Sequence, residues 1–415
     1  MESGLVLKRF EGNPILAPQP RHWWESKAVF NPGALYEDGR VHIIYRAIGD
    51  SDVSVFGYAS SVNGFQIGER LNEPIYIPRE PFEGAGLLQS TPSEEEVPYP
   101  STEDDDEAYV SGGGRGGCED PRLTRIGDRI FMTYVAFDGY SPPRVALTSI
   151  PVEDFLSHRW HWKKPVLISP PGVVDKNACI LPQKINSKYV IFHRIYPNIL
   201  IDFVDDLDYF DGATRFLKGE FRIRPRASSW DSRKVGGGAP PIKTNEGWLF
   251  IYHAVGNQDP GRYKIGAMLL DLKDPTRVLS RPKEPILEPR AWYESEGLKS
   301  GVIYPCGAVV IGDRLLVYYG GADKVTCLAS AKLDEVLNYL VGKRRAVPAP
   351  GYAPPAKAGI APAVPIKKRI RAYCMKCHAK REMKNPVAIT MKNGRRAVQG
   401  TCSKCGTRMS QMMKA

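Results

Sequence analysis

The sequence lacks the long apolar segments by which chains enter or cross membranes. Its 415 residues contain no run of about 18 apolar residues, the length that a helix needs to span a bilayer. The first ten residues, Met1 to Phe10, also lack the apolar centre of a secretory signal peptide. We therefore expect no transmembrane association and predict a cytoplasmic protein, whose thiols stay reduced.

Acidic side chains are almost absent from residues 342–415. This segment has 18 Lys and Arg but only one acid, Glu382, whereas the rest of the chain carries 39 basic and 45 acidic residues. The overall net charge of +11 therefore comes from the tail, whose own net charge is +17. Such asymmetry predicts an acidic partner: nucleic acid, a membrane surface, an acidic protein surface or the chain's own acidic loop. Because Tyr373 is the only aromatic residue from position 370 onward, contact with nucleic acid is expected to be nonspecific.

Cysteine is scarce, and four of the eight cysteines form two close pairs. Cys374 and Cys377 are followed, after a further 24 residues, by Cys402 and Cys405. Two such pairs are typical of a structural zinc site with four thiolate ligands. A piece of about 45 residues also needs a staple of this kind to fold. We predict zinc here, with disulfides or redox activity as alternatives, and interpret the other four cysteines as small apolar fillers.

Proline and alanine dominate residues 346–365, which predicts a semi-rigid spacer without a core of its own. The predicted organisation has three parts. A large domain covers residues 1–341, a basic Pro/Ala-rich linker covers 342–369, and a small zinc ribbon covers 370–415.

The large domain repeats one layout five times: a turn containing Gly, Asp or Asn, followed by a short strand of aromatic and β-branched residues. The turns fall at Gly39, Gly127, Ser187, Gly247 and Gly312, with spacings between 60 and 88 residues. Turns that flank runs of this kind are typical of hairpins, and hairpin units at this period indicate radial repetition. We predict an all-β fold, a five-bladed β-propeller; a two-domain β-sandwich is the alternative.

In a propeller the innermost strands line a central channel, so residues at equivalent strand ends should meet there. The strand ends carry Arg46, Val135, Arg194, His253 and Asp323, and the preceding strands carry Asn31, Asp120, Lys176, Lys234 and Tyr304. Such residues would form a polar pocket of cations, a histidine and carboxylates. Within it, Asp120 is crowded by Glu119 and Arg122, and such neighbours separate pKa values as a general acid requires. A solvated surface turn is the alternative interpretation of this cluster.

Several motifs, in one order along residues 1–340, resemble glycoside-hydrolase family 130, the inverting mannoside phosphorylases. The resembling stretches are Val29–Ala34, Tyr45–Ala47, Gly117–Arg122, Phe192–Arg194, Lys234–Thr244, Ile251–His253 and Tyr318–Asp323. The resemblance implies a five-bladed fold and direct attack of inorganic phosphate on a β-1,4-linked mannoside. The products would be α-mannose 1-phosphate and a shortened acceptor, with phosphate as co-substrate and no organic cofactor.

The same resemblance implies roles for eight residues. Asp120 would be the proton donor, acting through a mannose hydroxyl. The phosphate-binding positions are Lys176, Arg194, Lys234 and His253, and the mannose-binding positions are Asn31, Arg46 and Asp323. Lys176 stands where the family is expected to have arginine, and a lysine keeps the charge but loses the bidentate fork.

Hydrolysis by the same fold is the close alternative. A phosphate nucleophile is already anionic and needs no general base, whereas a hydrolase needs a second carboxylate about 6.5–9.5 Å from the acid. The cationic positions favour an anionic co-substrate, as do Gly236–Gly238, because glycines let backbone amides approach an anion. Glu119 is the residue that could act as a second carboxylate, unless it pairs with Arg122 to fix the loop. A third alternative is a propeller without chemistry that serves as a docking platform.

An acidic loop between Phe82 and Gly117 precedes the motif Gly117–Arg122, with runs at Glu94–Glu96 and Glu103–Glu107. Runs of like charge are usually solvated and flexible, and the alternatives are that the loop covers the acceptor side of the pocket or docks on the basic tail. The sequence indicates neither the preferred acceptor sugar nor the oligomeric state.

Overall fold

The computed structural model describes residues 7–89, 113–344, 364–365, 371–374, 377, 379–390 and 396–412. The chain divides into two compact units, Met1–Val347 and Pro348–Ala415. The acidic runs 94–96 and 103–107 and most of the predicted linker lie outside the described residues.

The regular secondary structure of the first unit is almost entirely antiparallel strand, as the all-β prediction requires. In chain order they are β1 (Lys8–Arg9), β2 (Ala28–Glu37), β3 (Arg40–Ile48), β4 (Val53–Ser61), β5 (Glu69–Arg70), β6 (Gly116–Ile126), β7 (Arg129–Phe137), β8 (Arg144–Pro151), β9 (Val166–Leu167), β10 (Lys176–Ile180), β11 (Tyr189–Ile195), β12 (Asn198–Val204), β13 (Phe221–Ile223), β14 (Lys234–Gly237), β15 (Ile242–Thr244), β16 (Gly247–Gly256), β17 (Asp259–Leu270), β18 (Val278–Ser280), β19 (Ile303–Ile311), β20 (Arg314–Gly321) and β21 (Val325–Lys332).

Helices are few. Those of the first unit are α1 (Val152–Leu156) and α2 (Leu333–Arg344), with short 3₁₀ turns at Pro81–Glu83, Ala85–Gln89, Leu207–Tyr209 and Trp292–Glu294. No helix in the part of the chain that the structure describes is long and apolar enough to cross a membrane.

The strands form five groups of similar design, each an antiparallel succession of neighbours. The groups are β2 to β5, β6 to β9, β10 to β13, β14 to β18 and β19 to β21 with β1. The N-terminal strand completes the fifth group, because Lys8 pairs with Ser330. A short parallel pairing of β4 with β6 merges the first two groups into one sheet. No sheet among the described residues closes on itself, so the five-bladed propeller stays a prediction.

The turns within the groups have local causes in the sequence. Between β2 and β3, Asp38 and Gly39 both have positive φ, 46° and 71°. Two successive left-handed residues make the type I′ turn, whose twist matches that of the flanking strands. Asn186 and Ser187 repeat this geometry before β11, with φ of 49° and 66°.

Apolar side chains pack between neighbouring groups rather than within one central core. Each of five buried clusters joins two groups, for example Phe192 to Phe250 between the third and fourth, with ring centroids 4.8 Å apart. The other clusters join the first to the second, the second to the third, the fourth to the fifth, and the fifth to the first. Neighbouring groups are thereby linked in cyclic order.

The first strand of most groups contains a β-bulge, which redirects a polar side chain. The pairing shifts between Phe30 and Gly33, between Glu119 and Arg122, and between Lys176 and Cys179. Within these shifts stand Asn31, Asp120 and Asn177, with φ of 48°, 53° and 59°. Left-handed backbone is uncommon for residues other than glycine, and it persists only where the surrounding structure holds the residue in that conformation. Bulges are a common means of aiming a side chain into a site.

Five buried carboxylates form a second recurring feature. In each group, the segment before the first strand supplies a fully buried carboxylate, and a ring on the second strand bonds to it. The pairs are Tyr45 with Glu25 (2.8 Å), Tyr134 with Glu83, His193 with Asp175 (2.7 Å), Tyr252 with Asp231 (3.1 Å) and Tyr319 with Glu294 (2.9 Å). Each pair ties a loop to the end of the second strand, so it fixes the strand end on which polar residues stand.

The second unit is small and also antiparallel. Its strands are β22 (Val364–Pro365), β23 (Arg371–Cys374), β24 (Ala379–Thr390), β25 (Arg396–Cys402) and β26 (Arg408–Met412). The order is β22-β24-β25-β26, with β23 paired to β24. Among the residues of this unit that the structure describes, the buried cluster consists of Ala372, Met383, Val398, Cys402 and Met409. A unit of this length usually needs a further constraint to fold stably.

Candidate functional site

Asp120 lies in the bulge of β6 and is only 5% exposed. The Asn31 side-chain amide, from the bulge of β2, donates to Asp120 Oδ1 at 2.8 Å. Arg46 Nη1, from β3, lies 3.6 Å from the same oxygen. The predicted acid and two of the predicted mannose-binding residues are therefore direct neighbours.

Glu119 is as buried as Arg46, each about 1% exposed, and the two form an ion pair of 3.2 Å. Lys176 Nζ lies 3.8 Å from the other oxygen of Glu119. Arg122, which the sequence analysis offered as the partner of Glu119, instead donates to the backbone carbonyls of Asp120, Gly237 and Gly238. That alternative is wrong because the bulge turns Arg122 towards the backbone after β14.

The predicted phosphate-binding residues come from two adjacent groups. Lys176 and Arg194 are directly paired across β10 and β11, while Lys234 begins β14 and His253 lies opposite Gly236 on β16. Burial lowers the pKa of Lys176, although Glu119 raises it in opposition. These residues bring a concentration of positive charge close to Asp120.

His253 is buried, and neither of its ring nitrogens has a hydrogen-bond partner among the described residues. The same is true of Arg194 Nε. Burial lowers the pKa of His253 well below its ordinary value, and the charges of Arg194, Arg122 and Lys234 lower it further. Buried polar nitrogens without partners are costly, so their presence together indicates a position that a ligand completes.

Aromatic side chains form one wall beside these cations. Tyr304 stacks near His253 with ring centroids 4.4 Å apart, and Asn177 donates to the Tyr304 hydroxyl. Lys234 Nζ lies 4.9 Å and Lys299 Nζ 5.3 Å from the centre of the Tyr263 ring. Burial alone would raise the pKa of Tyr263, but nearby cations, Lys234 first, outweigh it and lower that pKa.

Asp323 follows β20 and is 5% exposed, with a left-handed φ of 52°. Burial raises the pKa of Asp323 to about 7. The charge of Asp120 also raises this pKa, whereas the charges of Lys299 and Arg46 lower it. Asn31 sits against Gly320 so closely that a Cβ on Gly320 would overlap the Asn31 amide oxygen. The end of β20 is therefore shaped around Asn31, which places Asp323 in the same polar region.

The structure thus brings the eight residues into one polar region, linked by direct contacts or by mutual effects on pKa. Val135 is the exception among the strand ends, since it is an apolar buried residue opposite Glu119.

The sequence analysis missed Asn177, Tyr263 and Lys299. Asn177 could have been found, because it occupies the bulge position equivalent to Asn31 and Asp120. Tyr263 lies on a third strand and Lys299 in an irregular segment, where the repeat gives no signal.

In the second unit, the sulfur atoms of Cys377, Cys402 and Cys405 lie within 4.8 Å of one another. Cys377 and Cys402 are 3.9 Å apart. Tetrahedral zinc with Zn–S bonds of about 2.3 Å requires sulfur spacings of about 3.8 Å, so the three thiols fit. The side chain of Cys374, the fourth predicted ligand, lies outside the described residues.

The remaining cysteines, Cys118, Cys179, Cys306 and Cys327, are all buried in the first unit. Burial raises the pKa of each of these thiols. A raised pKa keeps a thiol protonated and unreactive, which agrees with their interpretation as apolar fillers.

Both units match known protein families. The family profile described as beta-1,4-mannooligosaccharide phosphorylase, glycoside-hydrolase family 130, matches residues 6–341. A domain of unknown function (DUF5679) matches residues 373–412.

Individual relatives match the first unit over almost their full length. A 1,2-beta-oligomannan phosphorylase of Thermoanaerobacter sp. (strain X514) is 36% identical over 339 residues, which are 80% of this chain and 99% of the relative. A beta-1,2-mannobiose phosphorylase of the same organism is 35% identical over 343 residues, 80% of this chain and 98% of the relative. Among solved structures, the beta-1,2-mannobiose phosphorylase of Listeria innocua has a TM-score of 0.60 and 27% identity, over 81% of this chain and 99% of that one.

Proposed function

Because the chain belongs to glycoside-hydrolase family 130 and is thereby a mannoside phosphorylase, we propose that it cleaves β-mannosides by inverting phosphorolysis. The products are α-mannose 1-phosphate and an acceptor shortened by one mannose. The observation that carries this proposal is the set of buried nitrogens without partners, on His253 and Arg194, in the polar region that contains Asp120.

In the proposed mechanism a phosphate oxygen attacks C1 of the mannose while the bond from C1 to the leaving oxygen breaks. Attack from the face opposite the leaving group converts the β-mannoside into the α-phosphate. Asp120 supplies the proton that the leaving oxygen gains, relayed through a mannose hydroxyl. The phosphate is already an anion, so no general base is required.

The cationic residues are proposed to bind the phosphate. Lys176, Arg194 and Lys234 supply positive charge, and the neutral His253 supplies a ring N–H. Donors held in place in a buried site stabilise developing charge without reorganising, which is a major source of catalysis. Mannose is proposed to contact Asn31, Arg46 and Asp323, of which the first two also contact the Asp120 carboxylate.

Hydrolysis would need Glu119 as a base. One oxygen of its carboxylate lies 3.2 Å from Arg46 and the other lies 3.8 Å from Lys176, so both oxygens are already engaged by cations. We therefore place phosphorolysis first. Incubation of the protein with a mannobiose, with and without phosphate, separates the two: phosphorolysis gives mannose 1-phosphate only with phosphate. Free mannose released in phosphate-free buffer would contradict the proposal.

An Asp120→Asn variant tests the proposed acid in the same assay. With mannobiose and phosphate we expect its rate to fall by about 10²–10⁴-fold. Asn31→Ala is the comparison, because it removes the hydrogen bond to Asp120 and leaves the proton donor in place. Equal activity of Asp120→Asn and the parent would refute the assignment.

The linkage needs a separate experiment. The sequence resemblance and the family profile indicate β-1,4-linked substrates, whereas the two relatives matched over nearly their full length carry β-1,2 names. We propose β-1,2-mannosides as the first candidate and retain the β-1,4 prediction as the second. Release of mannose 1-phosphate from matched β-1,2- and β-1,4-mannobiose decides between them.

We further propose that the five strand groups form a five-bladed propeller and that residues 370–415 hold one structural zinc ion. The cyclic order of the five apolar clusters supports the first proposal, and the three converging thiols support the second. Cytoplasmic location, the boundaries of the linker and an acidic partner for the basic tail stay predictions.

A further inference from the structure

An open groove on the first unit shares no lining residue with the proposed catalytic site. Three of the chain's seven tryptophans line it: Trp23, Trp160 and Trp162. Its volume is about 340 Å³, which lies in the range of small-molecule sites. The remaining lining comes from the segment between Glu73 and Arg79.

Two loops are held together to form one side of the groove. The buried Trp24 donates its indole N–H to the backbone oxygen of Asn72 at 2.9 Å. Because Trp24 is anchored, the neighbouring Trp23 is presented to solvent, with 48% of its surface exposed. Ile77 is 45% exposed across the same groove.

The opposite side consists of stacked rings. Trp160 lies parallel to His158 with centroids 5.3 Å apart, and Trp162 packs edge-on against Tyr76 at 6.4 Å. Flat indole faces fixed by their neighbours offer a large contact area at little entropic cost.

Polar groups also line the groove. Trp162 is only 5% exposed, yet its indole nitrogen has no hydrogen-bond partner among the described residues. Arg79 is held against the backbone oxygens of Trp162 and Lys163, at 3.3 and 3.0 Å. Glu73 lies exposed at the edge. The exposed indole of Trp23, the half-buried indole of Trp160, the buried indole N–H of Trp162 and two charged groups match a ligand with C–H faces and hydroxyl edges, which is a sugar ring.

We propose that this groove binds a β-linked mannooligosaccharide chain outside the catalytic site, an inference that rests on the proposed function. The loop of Trp23 leads directly into β2, which carries Asn31, and its backbone oxygen accepts from the Asp50 amide at 2.7 Å in the loop after β3. Trp23 and Asn31 thereby belong to the same strand group, the first, whereas Trp160 and Trp162 precede β9 of the second group. A long substrate held in the groove raises the effective concentration of its own chain end near the site.

The test compares Trp23→Ala with Tyr36→Ala, a control that removes a similarly exposed ring, 41% exposed, from the end of β2. Binding of long mannooligosaccharides is measured by calorimetry and tryptophan fluorescence in phosphate-free buffer. We expect Trp23→Ala to weaken binding by about three- to tenfold. Trp162→Phe, which keeps a ring but removes the indole N–H, should weaken it too, while the control matches the parent.

Kinetics separate this groove from the catalytic site. With Trp23→Ala, KM for long chains should rise by about the same factor, and kcat and KM for mannobiose should stay unchanged. Equal binding of long chains by parent and Trp23→Ala overturns the proposal. So does a dimer of the parent that Trp23→Ala abolishes, since the groove would then be a contact between two copies. Binding without any phosphorolysis would support the groove while contradicting the proposed function.

Discussion

His193 gives the sharpest stability prediction, because it is the one histidine among the five buried ring–carboxylate pairs. Its Nδ1 lies 2.7 Å from Asp175 and its Nε2 2.9 Å from Asp202. Burial alone would lower its pKa, but the two carboxylates, Asp175 first, raise it to about 9. His193 is therefore a buried cation shared by two anions.

The sign of the pH dependence follows from the raised pKa. In the unfolded chain the imidazole loses its proton near pH 6.5, whereas in the folded chain it keeps the proton until about pH 9. The contribution to stability is fully present below about pH 6.5 and is lost as the pH rises through 9. A shift of this size corresponds to about 3 kcal/mol, or about 5 °C in Tm for a domain of this length.

The assay is thermal unfolding of the parent and of His193→Gln at several pH values between about 6 and 10. The variant should be less stable by about 3 kcal/mol at the acid end, and the difference should shrink towards the alkaline end. Tyr252→Phe is the control: it removes the equivalent bond to Asp231 in the next group. Burial raises the pKa of Tyr252 to about 12, so the hydroxyl stays protonated in the folded and the unfolded chain below about pH 10. The loss of stability in Tyr252→Phe should therefore be the same at every pH below about 10. A His193→Gln difference that does not change with pH refutes the buried imidazolium.

Two further predictions concern the phosphate site and the second unit. Lys176→Arg should lower KM for phosphate by about tenfold, because a guanidinium binds phosphate with two parallel hydrogen bonds. The control is Lys243→Arg, at an exposed lysine that bonds Gln183. An unchanged KM for phosphate in Lys176→Arg contradicts the role assigned to Lys176. Chelation should release one zinc ion per chain, unfold residues 370–415 and leave mannobiose phosphorolysis unchanged; Cys402→Ser should prevent zinc binding, and protein purified without zinc that keeps a folded second unit would contradict the site.

The sequence was most informative where local chemistry decides the structure. The turn at Asp38-Gly39 and the alternation of aromatic and β-branched residues predict hairpins because left-handed residues and pleated strands have strong residue preferences. The arrangement of the strand groups was less accessible, since it depends on packing between distant segments. The pairing of Lys8 with Ser330 illustrates this, because β1 is a strand of only two charged residues and its sequence gives no indication that it completes the last sheet.

The candidate site was accessible in part for the same reason. Residues at strand ends, such as Arg46 and His253, could be placed because the repeat puts them in equivalent positions. The pairing of Glu119 could not be predicted, because the bulge before Arg122 shifts the strand register and redirects both side chains. Lys299 was missed because a loop position acquires its neighbours only from the tertiary fold.

The five buried carboxylates explain how one repeated scaffold can hold such different residues at its centre. In the first four groups the bonded ring immediately precedes the strand-end residue, which is Arg46, Val135, Arg194 or His253, and in the fifth it precedes Gly320, three residues before Asp323. The ring and its carboxylate fix the backbone at that point. The next side chain therefore need not stabilise the fold, and its identity can follow from what binding and catalysis require. This also accounts for the unpartnered nitrogens of His253 and Arg194. They destabilise the folded chain, and the ring–carboxylate pairs that anchor their strands offset that destabilisation. Removing an anchor, as in Tyr252→Phe, should therefore disturb His253 as well as stability, and a change in the phosphate KM of that variant would reveal the connection.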